Sequence, residues 1–63
     1  METINIAKTI KDARTKEGLT QRQLAEKSGV KYSTLVKIET GVIKNPRVMN
    51  IVNLQKVLSL KIV

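Results

Sequence analysis

Apolar residues recur at helical spacing in four stretches, separated by glycines and by the single proline. In the first stretch Ile6, Ile10 and Ala13 stand four and three apart, and Ile4 and Ala7 fall near the same face. Lys8, Lys11, Asp12, Thr15 and Lys16 fill the rest. This pattern predicts an amphipathic helix over residues 3–17, capped by Thr3 or Asn5 and stopped at Gly18, with Leu19 returning to the core. Thr20 and Gln23 form the Thr-x-x-Gln pattern of a capping box. A second helix is therefore expected over residues 20–28, with Leu24 and Ala25 inward, a break at Gly29, and Val30 pointing back inward. Leu35 and Ile38, with Val36 beside them, predict a third helix over residues 31–39 that ends at Thr40-Gly41.

Residues 42–47 read as a loop, because Pro46 disfavours helix at Asn45 and suits the first turn of a following helix. Val48, Ile51, Val52, Leu54, Val57 and Leu58 then give the stripe of a fourth helix over residues 48–58. In the tail, Leu58, Leu60 and Ile62 alternate with Ser59 and Lys61, a strand period that one loose helical turn fits as well. The expected fold class is all-α: a compact bundle of four to five helices, forming a single domain over residues 1–63.

Composition narrows the chemistry. The chain has no cysteine and no histidine, which removes a disulfide framework, a thiolate zinc site and the commonest general base. It has no glycine-rich phosphate loop and no carboxylate pair plausibly facing a common cleft; Asp12 and Glu17 fall on a surface helix as solvated groups. We therefore expect no enzymatic activity, no catalytic residue, no cofactor and no metal. The N-terminal stretch lacks a basic segment followed by a long apolar run, and no apolar run approaches the roughly 20 residues that span a bilayer. A cytoplasmic protein is the expectation.

Charge adds a partner. Twelve Lys and Arg stand against five Asp and Glu, for a net charge of +7. All the acids precede position 40, and Lys44, Arg47, Lys56 and Lys61 follow it. Such a balance suits a polyanion, nucleic acid before an acidic membrane. A membrane surface fits less well, since the chain has neither the Trp nor the Phe that interfacial helices use. Many small basic domains bind nothing, so charge alone does not decide.

The second and third helices do more. A helix-turn-helix needs a glycine in its turn, a small residue in its first helix and apolar residues locking the two helices. Gly29, Ala25 and the set Leu24, Val30, Leu35 and Ile38 meet those needs. An ordinary αα-hairpin with a glycine turn is the plain alternative. The segments GLTQRQLAEKSGV, STLVKIETG and KNPRVMNIVNLQKVLSL resemble the lambda-repressor-like, Cro/cI-type helix-turn-helix domains, and the resemblance runs from about Ile6 to Leu60. Members of that family are mostly transcriptional regulators that bind operator DNA as dimers.

The resemblance implies site residues. Lys31, Tyr32, Ser33 and Lys37 match or flank base-facing positions, and Thr20, Gln21, Thr34, Thr40, Lys44 and Arg47 match positions near phosphates. Arg14 and Glu39 match a structural salt bridge that orients the recognition helix. The side-chain chemistry agrees: lysine can donate to guanine O6 and N7, and a tyrosine ring can cover a thymine methyl. Tyr32 is the only aromatic residue, and packing on the domain surface is its alternative role. Three features depart from the family pattern: Val42, followed by Ile43, stands after Gly41 where a basic or polar residue is usual, Gln55 stands for a usual alanine, and the fifth helix is missing or cut to LSLKIV. The implied function is a sequence-specific transcriptional regulator, a repressor, acting on double-stranded DNA as a homodimer. The competing reading is a protein-interaction module, such as the antitoxin of a toxin–antitoxin pair, using Val42, Ile43 and the C-terminal tail.

Overall fold

A computed structural model describes residues 5–62. Its helices are α1 (Ile6–Lys16), α2 (Gln21–Ser28), α3 (Tyr32–Glu39) and α4 (Val48–Leu58). No strand occurs among the described residues. The first helix starts at Ile6 because Asn5 is extended and its Oδ1 accepts the Lys8 N–H at 3.1 Å. Ile4 and the alternative cap Thr3 lie outside the described residues. At the other end, the Gly18 N–H returns to Thr15 O and the Leu19 N–H to Arg14 O. This paired closure needs a left-handed residue, and Gly18 supplies it at φ 73°.

The capping box of α2 is complete: Thr20 Oγ1 accepts the Gln23 N–H at 3.0 Å, and Gln23 Oε1 accepts the Thr20 N–H at 2.9 Å. Gly29, at φ 75°, ends α2 and turns the chain into α3. A Cβ there would meet nothing within 4 Å, so the backbone conformation and not crowding calls for glycine.

The core joins all four helices. Ile10, Leu24, Ala25, Val30, Leu35, Ile38, Leu54 and Leu58 are buried together, with Ile6, Ala13, Leu19 and Val57 packed against them. Helix α1 packs on α3 and α4, and α2 packs on the same two helices. Small Ala25, inward on α2, matches the close approach that a helix pair in so short a chain requires.

Two expectations are corrected. Val48 is not part of the α4 stripe, being 65% exposed. Ile51, Leu54 and Leu58 set the inward direction of α4, and Val48 projects roughly a quarter turn away from it. The tail forms neither strand nor helix through Ile62. Its alternation is nonetheless real as burial: Leu58, Leu60 and Ile62 face the core while Ser59 and Lys61 are exposed. Gln55 holds this arrangement, its backbone O accepting the Leu60 N–H at 3.0 Å and its Oε1 the Ile62 N–H at 2.8 Å. The residue that departs from the family pattern on α4 is the one that ties residues 60 and 62 down.

Candidate nucleic-acid interface

The third helix has two characters. Leu35, Ile38 and Glu39 are buried, whereas Tyr32, Ser33 and Lys37 are exposed. Its inner face is locked to the core, so its outer face is rigidly presented. Lys31 precedes the helix and is exposed, and Thr34 is half-buried. Of the four residues implied for base contact, Lys31, Tyr32 and Ser33 stand at the start of α3 and Lys37 in its last turn, all exposed.

The back of the helix is fixed by a polar network. Arg14 Nε donates to Glu39 Oε2 at 2.8 Å and Nη2 to Oε1 at 3.0 Å, a bidentate pair, while Nη1 donates to Leu19 O at 2.7 Å. Gln21 Nε2 adds a third donor to Glu39, 3.1 Å from Oε1. The carboxylate end of α3 is therefore held by α1 and by the start of α2 together. Arg14 lies almost wholly inside this network, so its guanidinium serves the fold. The Gln21 side-chain amide donates to Glu39, so its Nε2 serves the fold, while its backbone N–H belongs to the first turn of α2.

The helix starts differ among themselves. Asn5 and Thr20 cap α1 and α2 with side-chain oxygens. Lys31 and Arg47 occupy the same position before α3 and α4, and neither makes a cap hydrogen bond. A cation at a helix N-terminus opposes the macrodipole and costs about 0.3 to 1 kcal/mol. An uncapped first turn also leaves N–H groups unsatisfied. Both defects are relieved by an anion, since a helix start with free N–H groups is a phosphate-binding geometry.

The remaining residues implied for phosphate contact are dispersed: Thr40 caps the C-terminal end of α3, Lys44 lies beside Asn5 and Ile6 at the start of α1, and Thr34 and Arg47 lie together. Thr40 is exposed, and its hydroxyl donates to Val36 O at 2.9 Å, a bond it must exchange in order to donate to a phosphate. Lys44 is exposed in the loop. Arg47 and Thr34 line a groove between α3 and the start of α4, together with Asn45 and Asn50. The two asparagines add donors there that spacing along the chain did not reveal, because only the packing of α3 against the loop assembles them. Arg22 was likewise missed: its guanidinium carbon sits 4.6 Å from the centre of the Tyr32 ring.

In the loop, Ile43 is half-buried: its N–H donates to Lys37 O at 3.0 Å, and its side chain packs against the core. Leu60 and Ile62 of the tail pack there too. Among the described residues of the expected apolar partner surface, Val42 is the exposed one, at 70%. Among the described residues no helix is long and apolar enough to cross a membrane, and no group of three or more His, Cys, Asp or Glu is placed to hold a metal.

A rigidly backed helix presented across a glycine turn is the geometry of a helix-turn-helix. The helix-turn-helix family model matches residues 10–63, and the chain belongs to this family, in its lambda-repressor-like, Cro/cI-type branch. No curated protein and no solved structure gives a significant match. The family is one of DNA-binding regulatory domains and not of enzymes.

Proposed function

We propose that the chain acts as one domain over residues 1–63, a sequence-specific repressor that seats α3 in the major groove of an operator as a homodimer. The observation that carries this reading is the pairing of the two uncapped helix starts with Lys31 and Arg47. These starts cost stability in the free protein and gain it against phosphates. In this reading Lys31, Tyr32, Ser33 and Lys37 meet base edges. Thr20, Gln21, Thr34, Thr40, Lys44 and Arg47 hold the backbone and set the register without reading sequence. Affinity comes mainly from the positive surface and falls steeply with salt. The site of action is the cytoplasm.

Selection from a random-sequence duplex pool at about 0.15 M salt tests the reading, since weak non-specific binding is suppressed there. A palindrome with half-sites about one helical turn apart is expected for a two-fold dimer. A pool that emerges without any enriched motif overturns the proposal.

A second reading, a protein-interaction module such as an antitoxin, draws on the exposed apolar residues Val42, Val48 and Met49. A stoichiometric protein partner that binds through these residues, from a chain that does not retain DNA, is its signature.

A further inference from the structure

We infer that Arg22 and Tyr32 form one specificity-determining unit, in which Arg22 fixes the plane of the Tyr32 ring so that the pair, and not Tyr32 alone, sets a base preference at the front of α3. The inference rests on the DNA-binding reading above and extends it to a residue of α2.

Arg22 lies in the first turn of α2 and Tyr32 is the first residue of α3, so the two come together only because the turn at Gly29 folds one helix over the other. The Arg22 guanidinium carbon is 4.6 Å from the ring centre, within the range of a cation–π contact. Glu26, one helical turn along α2, is the ordinary partner for an arginine at that spacing. No ion pair forms between them; among the described residues the ion pair is Arg14 with Glu39. Arg22 thus lies over the ring in preference to a neighbouring carboxylate.

Tyr32 makes no hydrogen bond to a described residue, and at 41% exposed it projects from the uncapped end of its helix. Arg22, over its face, is the charged group positioned to bias where the ring lies. A guanidinium held over an aromatic face can keep N–H donors free at its rim. Here those donors make no hydrogen bond to described residues, so they remain available to a base edge next to the one the ring covers. Arginine donates in pairs to guanine O6 and N7, and an aromatic ring packs on a thymine methyl. The unit suits adjacent base pairs carrying those two groups.

The test compares motifs enriched from a random-sequence duplex pool by the wild-type chain and by Arg22→Lys, Arg22→Ala and Tyr32→Ala. Lysine keeps the charge but loses the planar fork. Arg22→Lys and Arg22→Ala are expected to relax preference by about fivefold at the base pair that Tyr32→Ala relaxes, the scale of an exposed cation–π contact. Preference at the position read by Lys37 stays as in the wild type. Both residues are exposed, so melting temperatures stay close to wild type and confirm folded variants. A wild-type motif unchanged in Arg22→Lys overturns the pairing, as does an Arg22→Ala chain that binds all sequences equally more weakly. Absence of any motif from the wild-type chain overturns the DNA reading itself, and the unit with it.

Discussion

Glu39 is the only buried charged residue among those described, and three donors from two other helices converge on it: Arg14 Nε and Nη2, and Gln21 Nε2. Arg14 and Glu39 are nearly enclosed, with side chains 12% and 2% exposed. Removing one partner of such a pair strands the other charge, a larger effect than the net worth of the pair. Arg14→Met should therefore destabilise the domain by about 3 kcal/mol. Glu39→Gln strands the Arg14 charge and sets an amide donor against its guanidinium, but Arg14, the more exposed of the two, can reach water, so the cost should be smaller, about 2 kcal/mol. Urea unfolding of both variants checks this order, and a milder effect in Arg14→Met than in Glu39→Gln contradicts it.

Lys31 sets stability against binding. Lys31→Asn gives α3 a side-chain acceptor for its first-turn N–H groups and should stabilise the fold by about 1 kcal/mol. In a domain of this size that raises the melting temperature by about 4 to 8 °C. The same substitution removes a cation and fills the helix start, so DNA affinity falls. A variant that melts higher and binds as tightly as wild type would show that the uncapped start has no part in binding.

Ser59 is the one non-glycine residue at positive φ among those described, at 54°. Left-handed backbone costs an L-residue roughly 1 kcal/mol, a cost glycine escapes. Ser59→Gly should therefore stabilise by about 0.5 to 1 kcal/mol. Gln55→Ala acts on the same segment in the opposite sense. It frees the Ile62 N–H, so faster amide hydrogen exchange at Ile62 is expected with α1 to α3 protected as before.

Lys37 and Lys44 divide two tasks under the proposed function. Lys37→Ala should change base preference. Lys44→Ala should weaken every sequence alike and reduce the slope of log K against log salt by about 0.9, one phosphate contact. Titrations against the selected site and a scrambled duplex at several salt concentrations separate the two. Equal effects of both variants on both duplexes contradict the division.

What was legible in the sequence is what neighbouring residues decide. Asn5, the Thr20–Gln23 box and the turns at Gly18 and Gly29 act within a few residues, so the helix bounds follow from local chemistry. Leu24, Leu35 and Ile38 declare themselves by periodicity. Val48 did not, because an apolar residue at the margin of a stripe is turned in or out by where α1 and α2 press on α4. The tail showed a period of two, and burial follows that period; the backbone pairing usually inferred from it is replaced by hydrogen bonds to Gln55. At the interface, family resemblance picks out residues one by one. The grouping of Thr34, Asn45, Arg47 and Asn50 in a groove and the stacking of Arg22 on Tyr32 join separate elements, and no spacing along the chain encodes them.

The network at Glu39 has an evolutionary consequence. It anchors α3 by its last residue, while Lys31, Tyr32 and Ser33 at its front are exposed and make no hydrogen bond through their side chains to the described residues. Under the proposed function, the anchor at Glu39 is thereby separated from three of the four base-facing residues by most of an eight-residue helix, and Lys37 alone lies beside it. Substitutions at the front can retarget the domain to a new operator without unsettling its architecture, so paralogues with divergent targets can arise in few mutational steps. The stack on Tyr32 limits this freedom at one place, where residues 22 and 32 are expected to change together.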